Sequence, residues 1–577
     1  MATIVDHPGA PAALPAKGRP PALAAFALPD AVWTLIAALL ACTLYALTIQ
    51  TRPPHIDEFY HLLAGRSWAK DGSLAILDGR YERARLFTML VGGSFDLLGR
   101  SDLLVARLPS LLASATSVAL IFHWVRQVGG MWGAVGAALL FALAGYTFDI
   151  AHFARFYALH ALLTLGAAAS LFAATRPDAR RSILWLTASA LCLALASHLQ
   201  PVTAIAALAL GAWLLFDQRA RIWSMPPLHL VALGGVALAC SAVALSLAGP
   251  ALDSYRHAER WATGSQDDPL YYIREYWVQL PLMLLLWPVA LVAAWRRNAS
   301  LASLCAAMVM LGLALHSFAG MKAWRYAYYI FPFLCMTYGL AIAFLMDRFG
   351  GRERNLRGVA LFTGVMLLLI GGNSGYRQSA RLMATALPAL IQSPTAIAAP
   401  VPDDVWDKAA PDLRRVTAGR GLVVTGDDLR TIAYVGPFDL FISHSRLGEL
   451  KPASDFNRDF RTGRPLIDSA AGLAQVIDCS VDGVVIVSDH QWRNPMGVRP
   501  QVADLIERRL TRLSTETGFH IYSWRHPLAR RSCPHVGEQA LPGKRASAVR
   551  PQPPRWRCVP SGQSCPSLGI ATRMDAA

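Results

Sequence analysis

"RPPHIDEFYHLLAGRSW", residues 52–68, follows the first long apolar run of the chain, and its reading decides the rest. It sets an acidic pair, Asp57-Glu58, among aromatic, histidine and arginine residues. The run before it, residues 30–49, is long enough to cross a bilayer. A carboxylate is costly inside a membrane and cheap at its watery edge. The pair therefore marks the point where the chain leaves its first span and meets one face of the membrane. The question is what chemistry that face holds.

Composition agrees with a membrane protein. Of 577 residues, 54% are hydrophobic and only 16% charged, where about 25% charged is usual for a soluble domain. Mean hydropathy is +0.36. A span needs roughly 20 apolar residues, and about eleven candidates lie near 30–49, 103–124, 131–148, 156–175, 182–197, 201–216, 228–249, 277–295, 299–318, 327–346 and 358–372. The 182–197 and 201–216 pair reads as two short spans or one hairpin broken at "SHLQP", because Pro201 disfavours helix just before it. In such a protein the net charge of +16 marks the cytoplasmic side rather than a nucleic-acid partner. Cys42, Cys192, Cys240, Cys305 and Cys335 fall inside apolar runs, where cysteine behaves as a small hydrophobe.

The chain divides into four parts. Residues 1–29 are Pro/Ala-rich and read as a cytoplasmic tail, because the apolar run that follows is too long for a signal-peptide core. Residues 30–375 carry the spans. Residues 376–526 change character: "GLVVTGDD" and "VDGVVIVSDH" are β-type runs, and "ADLIERRLTRL" is an amphipathic helix. This part reads as a small soluble α/β domain. Residues 527–577 form a basic Pro/Arg/Ser-rich tail of disordered composition, and its Cys533, Cys558 and Cys565 show no framework.

With the N-terminus inside, the inside loops are "VRQVGG", "RPDARR", "DQRAR", "WRRNAS" and "DRFGGRERNLR", each with arginine. The opposite face receives "HIDEFYH", "YTFDIAHFARFY", "SHLQP", residues 250–276 and "HSFAGMKAWRYAYY". Arg52, Arg66, Lys70, Arg80, Arg83 and Arg85 lie there against the topology signal, which points to another use for their charge. The expected location is the plasma (inner) membrane, with the active site on the extracytoplasmic face. The stretch "HIDEFYHLLAGRSWAKDG" has Phe59, Leu62 and Leu63 at helical spacing and predicts an amphipathic helix along the interface. Asp57 is the expected general base, and Glu58 the group that orients it or the acceptor.

Each further motif has an ordinary reading beside the functional one. In "FARFYALH", Arg155, Tyr157 and His160 also suit snorkelling and an aromatic belt. In "SHLQP", a lone histidine such as His198 is more often a satisfied polar residue than a ligand. In "MKAWRYAYY", belt composition explains the aromatics, but outside Lys322 and Arg325 oppose the charge bias and favour function. Asp267-Asp268, in "GSQDDPLYY", suits a solvated helix cap.

The ordered set of "DE", "YERARLFTMLVG", "RSDLLVARLPSLL", "AHFARFYALHALL", "SHLQPVTAIAAL" and "HSFAGMKAWRYAYYIFPFL" resembles the polytopic glycosyltransferases of GT-C fold. The match is to the family 39-like group that includes protein O-mannosyltransferases and the aminoarabinose transferase of lipid A. It spans roughly residues 30–375. The resemblance implies a polyprenyl-phosphate sugar donor, an acceptor lipid, glycan or protein, and inverting displacement at the anomeric carbon. A phosphate leaving group needs cations rather than a proton donor. That makes Arg155, Lys322 and Arg325 phosphate ligands, with Tyr157, His198 and Tyr326 as further substrate-binding residues. Many relatives carry a Lys-Pro-Pro-like stretch where this chain has "YERARLF", so a lysine role is not carried over and Arg83 or Arg85 stands in its place.

Two other classes also suit a polytopic chain with a soluble domain. A transporter or flippase of lipid-linked sugar should carry ionisable groups in mid-span and internal repeats, whereas here the charges cluster at outer span ends. A non-catalytic cell-envelope assembly protein should be indifferent to replacement of Asp57. The acids of "IDEF" are of a type that binds a divalent cation, but no tight carboxylate cluster requires a metal or another cofactor.

Overall fold

The computed structural model describes residues 29–176, 182–223, 268–318, 322–349, 356–392, 405–444, 456–459, 461–513 and 518–526, with a few isolated positions between them. The two terminal tails, the expected span at 228–249 and most of the 250–276 loop lie outside the described residues.

The membrane part is helical. It opens with α1 (Asp30–Thr48), α2 (Glu58–Asp71), a hairpin of β1 (Ala75–Ile76) and β2 (Gly79–Arg80), and α3 (Arg85–Leu98). Then come α4 (Leu103–Ala142), α5 (Gly145–Ala151), α6 (Tyr157–Ala174), α7 (Ser182–Leu199) and α8 (Thr203–Asp217). Helices Pro281–Arg297, Ala299–Ser317, Phe331–Phe349 and Leu356–Gly371 complete the bundle. Among the described residues, six helices are long and apolar enough to cross a membrane, or up to eight when each of two bent pairs counts as one span.

Within the described residues the expected apolar runs are partitioned differently. Residues 103–142 form one element that bends at Gly130, whose φ of +77° is open to glycine and strained for other residues. Two expected spans are thereby counted once. The helix Thr203–Asp217 has only 15 residues. The chain does break between α7 and α8 at Gln200-Pro201, where the proline forbids a continuous helix.

The expected interfacial helix is also different. In α2, all eight residues from Glu58 to Gly65 are buried. Its first two turns are therefore enclosed by protein on every side, not laid along the membrane surface. The boundary at 376 moves as well. The helix Ser374–Gln392 belongs with the bundle, where Tyr376 donates its hydroxyl to Leu140 O at 2.7 Å.

The sheet-bearing part runs from the helix Trp406–Thr417 to Arg525. Seven strands lie in the order β5-β6-β4-β3-β7-β9-β8. They are β3 (Leu422–Thr425), β4 (Leu440–Ile442), β5 (Asn457–Arg458), β6 (Pro465–Ile467), β7 (Asp482–Ser488), β8 (Thr511–Arg512) and β9 (Phe519–Arg525). The central four, β6, β4, β3 and β7, are parallel. A parallel sheet is covered on both faces and its strands read as continuous apolar runs. Accordingly Val424, Val485 and Val487 pack on one face, and Val423, Val484 and Ile486 on the other.

Candidate active site around Asp57

The site is built where α1 hands over to α2. Arg107, near the start of α4, forks onto Glu58: its Nε donates to Oε1 and its NH2 to Oε2, each at 2.8 Å. Its NH1 donates to the carbonyls of Ile49 and Arg52 at 2.9 Å. Glu58 also accepts from the backbone N–H of His55 at 2.9 Å and of Ala154 at 2.8 Å. Both side chains are completely buried. Taking two charges out of water is tolerable only when every lone pair and proton is used, and here four N–H bonds reach one carboxylate. Burial alone would raise the Glu58 pKa, but Arg107 and the backbone N–H groups bring it below the usual value. The fork therefore ties the loop 49–58 to α4 and to the turn before α6.

That anchoring aims Asp57 the other way. Its side chain is one-fifth exposed, and its Oδ2 lies 3.1 Å from Arg325 NH2. Arg325 Nε donates to the Tyr157 hydroxyl at 3.2 Å, and its guanidinium carbon lies 5.7 Å from the centre of the Tyr326 ring. Arg155 NH1 donates to the Asp57 carbonyl at 3.2 Å and to the Tyr81 hydroxyl at 2.8 Å. The Asp57 N–H donates to His55 Nδ1 at 3.1 Å. Burial raises the Asp57 pKa, yet Arg155 and Arg325 outweigh it and hold the carboxyl below its ordinary value. Arg155 is buried, and its Nε has no hydrogen-bond partner among the described residues.

Asp57, Arg155, Tyr157, Arg325 and Tyr326 thus converge on one locus. Arg83 borders it: it is exposed, and its guanidinium sits 5.6 Å over the Phe156 ring. It follows β2 and precedes Ala84, which adopts the left-handed region at φ +52° and caps α3. Arg85 begins α3 and is exposed. Lys322 is buried three residues before Arg325, at the entry to the 3-10 turn Trp324–Ile330. His198 is exposed on the last turn of α7, and the side chains buried at that corner are Gln200 and Thr203, the latter 2.9 Å from His160. The sequence reading passed over Arg107, Tyr81 and His55. Arg107 had a signal, since a lone arginine within an apolar run needs a buried partner. Among the described residues no group of three or more His, Cys, Asp or Glu side chains could hold a metal ion.

Comparison with known proteins addresses the family. Residues 83–246 match the model described as dolichyl-phosphate-mannose-protein mannosyltransferase. The fold is similar to that of ArnT from Cupriavidus metallidurans in the apo state, with TM-score 0.57 and 13% identity over 85% of this chain and 98% of that one. The chain shares the GT-C fold. The same ArnT bound to undecaprenyl phosphate gives TM-score 0.57 and 14% identity over 86% of this chain and 98% of that one. The oligosaccharyltransferase AglB from Archaeoglobus fulgidus, in complex with an inhibitory peptide and a dolichol-phosphate, shares this GT-C fold at TM-score 0.51 and 12% identity, over 85% of this chain and 74% of AglB. No curated protein sequence matches the chain.

Proposed function

We propose that this protein transfers a sugar from a polyprenyl-phosphate donor to an extracytoplasmic lipid, glycan or protein at the plasma (inner) membrane. The observation that carries the reading is the Asp57 carboxylate, part-exposed and 3.1 Å from Arg325, beside the buried cation Arg155. A hydroxyl acceptor needs a base, and a departing lipid phosphate needs positive charge; both are present at one locus. The unpartnered Arg155 Nε supports an anionic ligand there. Cys479, in the sheet-bearing part, is disulfide-bonded, which fits an oxidising compartment outside the cytoplasm.

In the proposed reaction the acceptor oxygen attacks the anomeric carbon from the side opposite the phosphate. The new C–O bond forms as the bond to phosphate oxygen breaks, and that electron pair stays on the phosphate. Asp57 takes the acceptor proton. Arg155, Arg325, Lys322 and Arg83 stabilise the leaving phosphate, arginine by paired N–H groups and lysine as a point charge. Glu58 acts through the backbone, holding the 49–58 loop so that Asp57 faces the cations. Arg325 serves both anions. While it pairs with Asp57 the carboxylate is a weak base, and a bound phosphate that draws on the same guanidinium lets the carboxylate recover its basicity.

The test is an assay of the purified protein with a panel of polyprenyl-phosphate sugars, each with hydroxyl acceptors, following lipid-phosphate release. Release with one donor that is lost in Asp57→Asn is the expected result. Release unaffected by Asp57→Asn, or binding of a lipid-linked sugar that is only moved across vesicles, would overturn it.

A further inference from the structure

The sheet-bearing part meets the candidate site at two places among the described residues: Arg430 NH2 donates to the Pro54 carbonyl at 3.4 Å and the Tyr434 ring lies edge-on to Phe59, and the turn 459–464 forms a second joint with the β1–β2 hairpin. Asp78 N and Gly79 N, at the tip of the β1–β2 hairpin, both donate to Thr462 O at 2.9 Å. Thr462 is itself fixed, its N–H and hydroxyl donating to Asp459 Oδ2 at 2.9 and 2.6 Å. Arg464 Nε lies 3.3 Å from Asp78 Oδ2. The two backbones meet glycine to glycine: a Cβ on Gly79 would lie 2.3 Å from Arg461 O, and one on Gly463 would lie 2.5 Å from Asp78 C. Backbone contact this close leaves no room for any other residue, so the turn 459–464 and the hairpin are built to fit each other.

From that joint a chain of contacts runs to Asp57. The Arg461 guanidinium stands over the Tyr60 ring, 4.8 Å from its centre, and its NH1 donates to the Tyr60 hydroxyl. Tyr60 stacks on Tyr81, with centroids 4.8 Å apart and planes 13° from parallel. The Tyr81 hydroxyl accepts from Arg155 NH1, the nitrogen that also donates to the Asp57 carbonyl. Both rings are buried, so the stack has little freedom to slide without moving Arg155.

We propose that Arg461 is a positioning residue for glycosyl transfer, clamping the Tyr60–Tyr81 stack so that Arg155 is held ready for the donor phosphate. The inference rests on the assignment of Arg155 and Asp57 to the transfer site. It gives the sheet-bearing part a role in donor binding that Arg461 exerts through Tyr60 and Tyr81.

The experiment uses the full chain in detergent, with undecaprenyl phosphate as the binding probe and a thermal unfolding curve for each variant. Arg461→Ala should weaken binding of the probe about tenfold, the size of one lost hydrogen bond, with its unfolding midpoint unchanged. Arg461→Lys should recover part of the loss, because it keeps the cation over the ring. Tyr81→Phe should reproduce the loss, and the double variant Arg461→Ala/Tyr81→Phe should be no weaker than Tyr81→Phe alone, since both act on one path. Gly79→Ala should match Arg461→Ala by parting the joint. Unchanged binding in Arg461→Ala, or additive losses in the double variant, would overturn the proposal. Should Arg461→Ala not fold, the lysine and phenylalanine variants decide the matter alone. A wild-type protein that binds no polyprenyl phosphate would instead sink the donor assignment itself.

Discussion

Arg107 grips Glu58 with two hydrogen bonds of 2.8 Å, and neither side chain reaches solvent. Removing one member leaves an uncompensated buried charge, which costs about 3–5 kcal/mol. Glu58→Ala and Arg107→Ala should therefore each lower the thermal unfolding midpoint and the yield of folded protein. Replacing both with apolar residues should harm the fold less than either single change. Single variants that melt like the wild type would show that the pair is not what anchors the loop.

Asp57→Asn should keep the fold, because its carboxylate is part-exposed and bonds a single guanidinium. With a hydroxyl acceptor its rate should fall by about 10²–10⁴-fold, the usual contribution of a positioned base. With an acceptor that is already an anion, no proton needs removal and the loss should be small. Full activity toward a hydroxyl acceptor would remove the base assignment.

Arg325→Ala and Lys322→Ala should raise the donor KM, each lost charge-assisted bond costing about 1.5–3 kcal/mol, or roughly ten- to a hundredfold. Arg325→Ala should be the more severe, since Arg325 also orients Tyr157 through a 3.2 Å hydrogen bond. Steady-state kinetics with wild-type turnover in both variants would return these residues to the aromatic belt.

The pH dependence follows from the depressed Asp57 pKa. A carboxylate whose folded pKa lies below its unfolded value stabilises the fold fully above the ordinary value, 3.8 here, and loses that contribution as pH falls through the depressed one. The acid limb of kcat/KM should accordingly lie below the ordinary carboxylate range. The limb of kcat should lie higher, because donor phosphate competes for Arg325. Arg325→Ala should move the kcat/KM limb upward. A limb that stays put in that variant would count against the coupling.

Topology is checked by cysteine labelling. Positions in 50–100 and in the sheet-bearing part should react from outside the cell, and positions in "DRFGGRERNLR" only after permeabilisation. Inside labelling near position 57 would overturn the functional reading.

Apolar runs made most spans legible, because span length is set by bilayer thickness and not by tertiary detail. The acidic pair was legible too, from its place at a span end among unexpected cations. What escaped reading depended on distant partners. The first two turns of α2 look amphipathic in isolation, yet residues delivered by α4, the turn before α6 and the sheet-bearing part cover their polar side. Asp57 and Glu58 look alike in sequence. Only the positions of Arg107, 49 residues from Glu58, and Arg325, 268 residues from Asp57, separate a buried anchor from an exposed carboxylate. His198 and Gln200 share one motif, but helix geometry turns the first to the surface and the second inward.

The order in which these partners leave the ribosome gives the Glu58 anchor a temporal meaning. Glu58 emerges with no counter-ion and waits for Arg107, then for the Ala154 N–H 96 residues downstream. Until α4 and α5 have been inserted, its charge has to stay in water and the 49–58 loop stays unlocked. Arg325 arrives far later, so the charged centre closes only when most of the bundle is already in the membrane. A chain halted before that point would have Glu58 locked onto Arg107 but Asp57 still without Arg325, so the proposed centre would be left half-built.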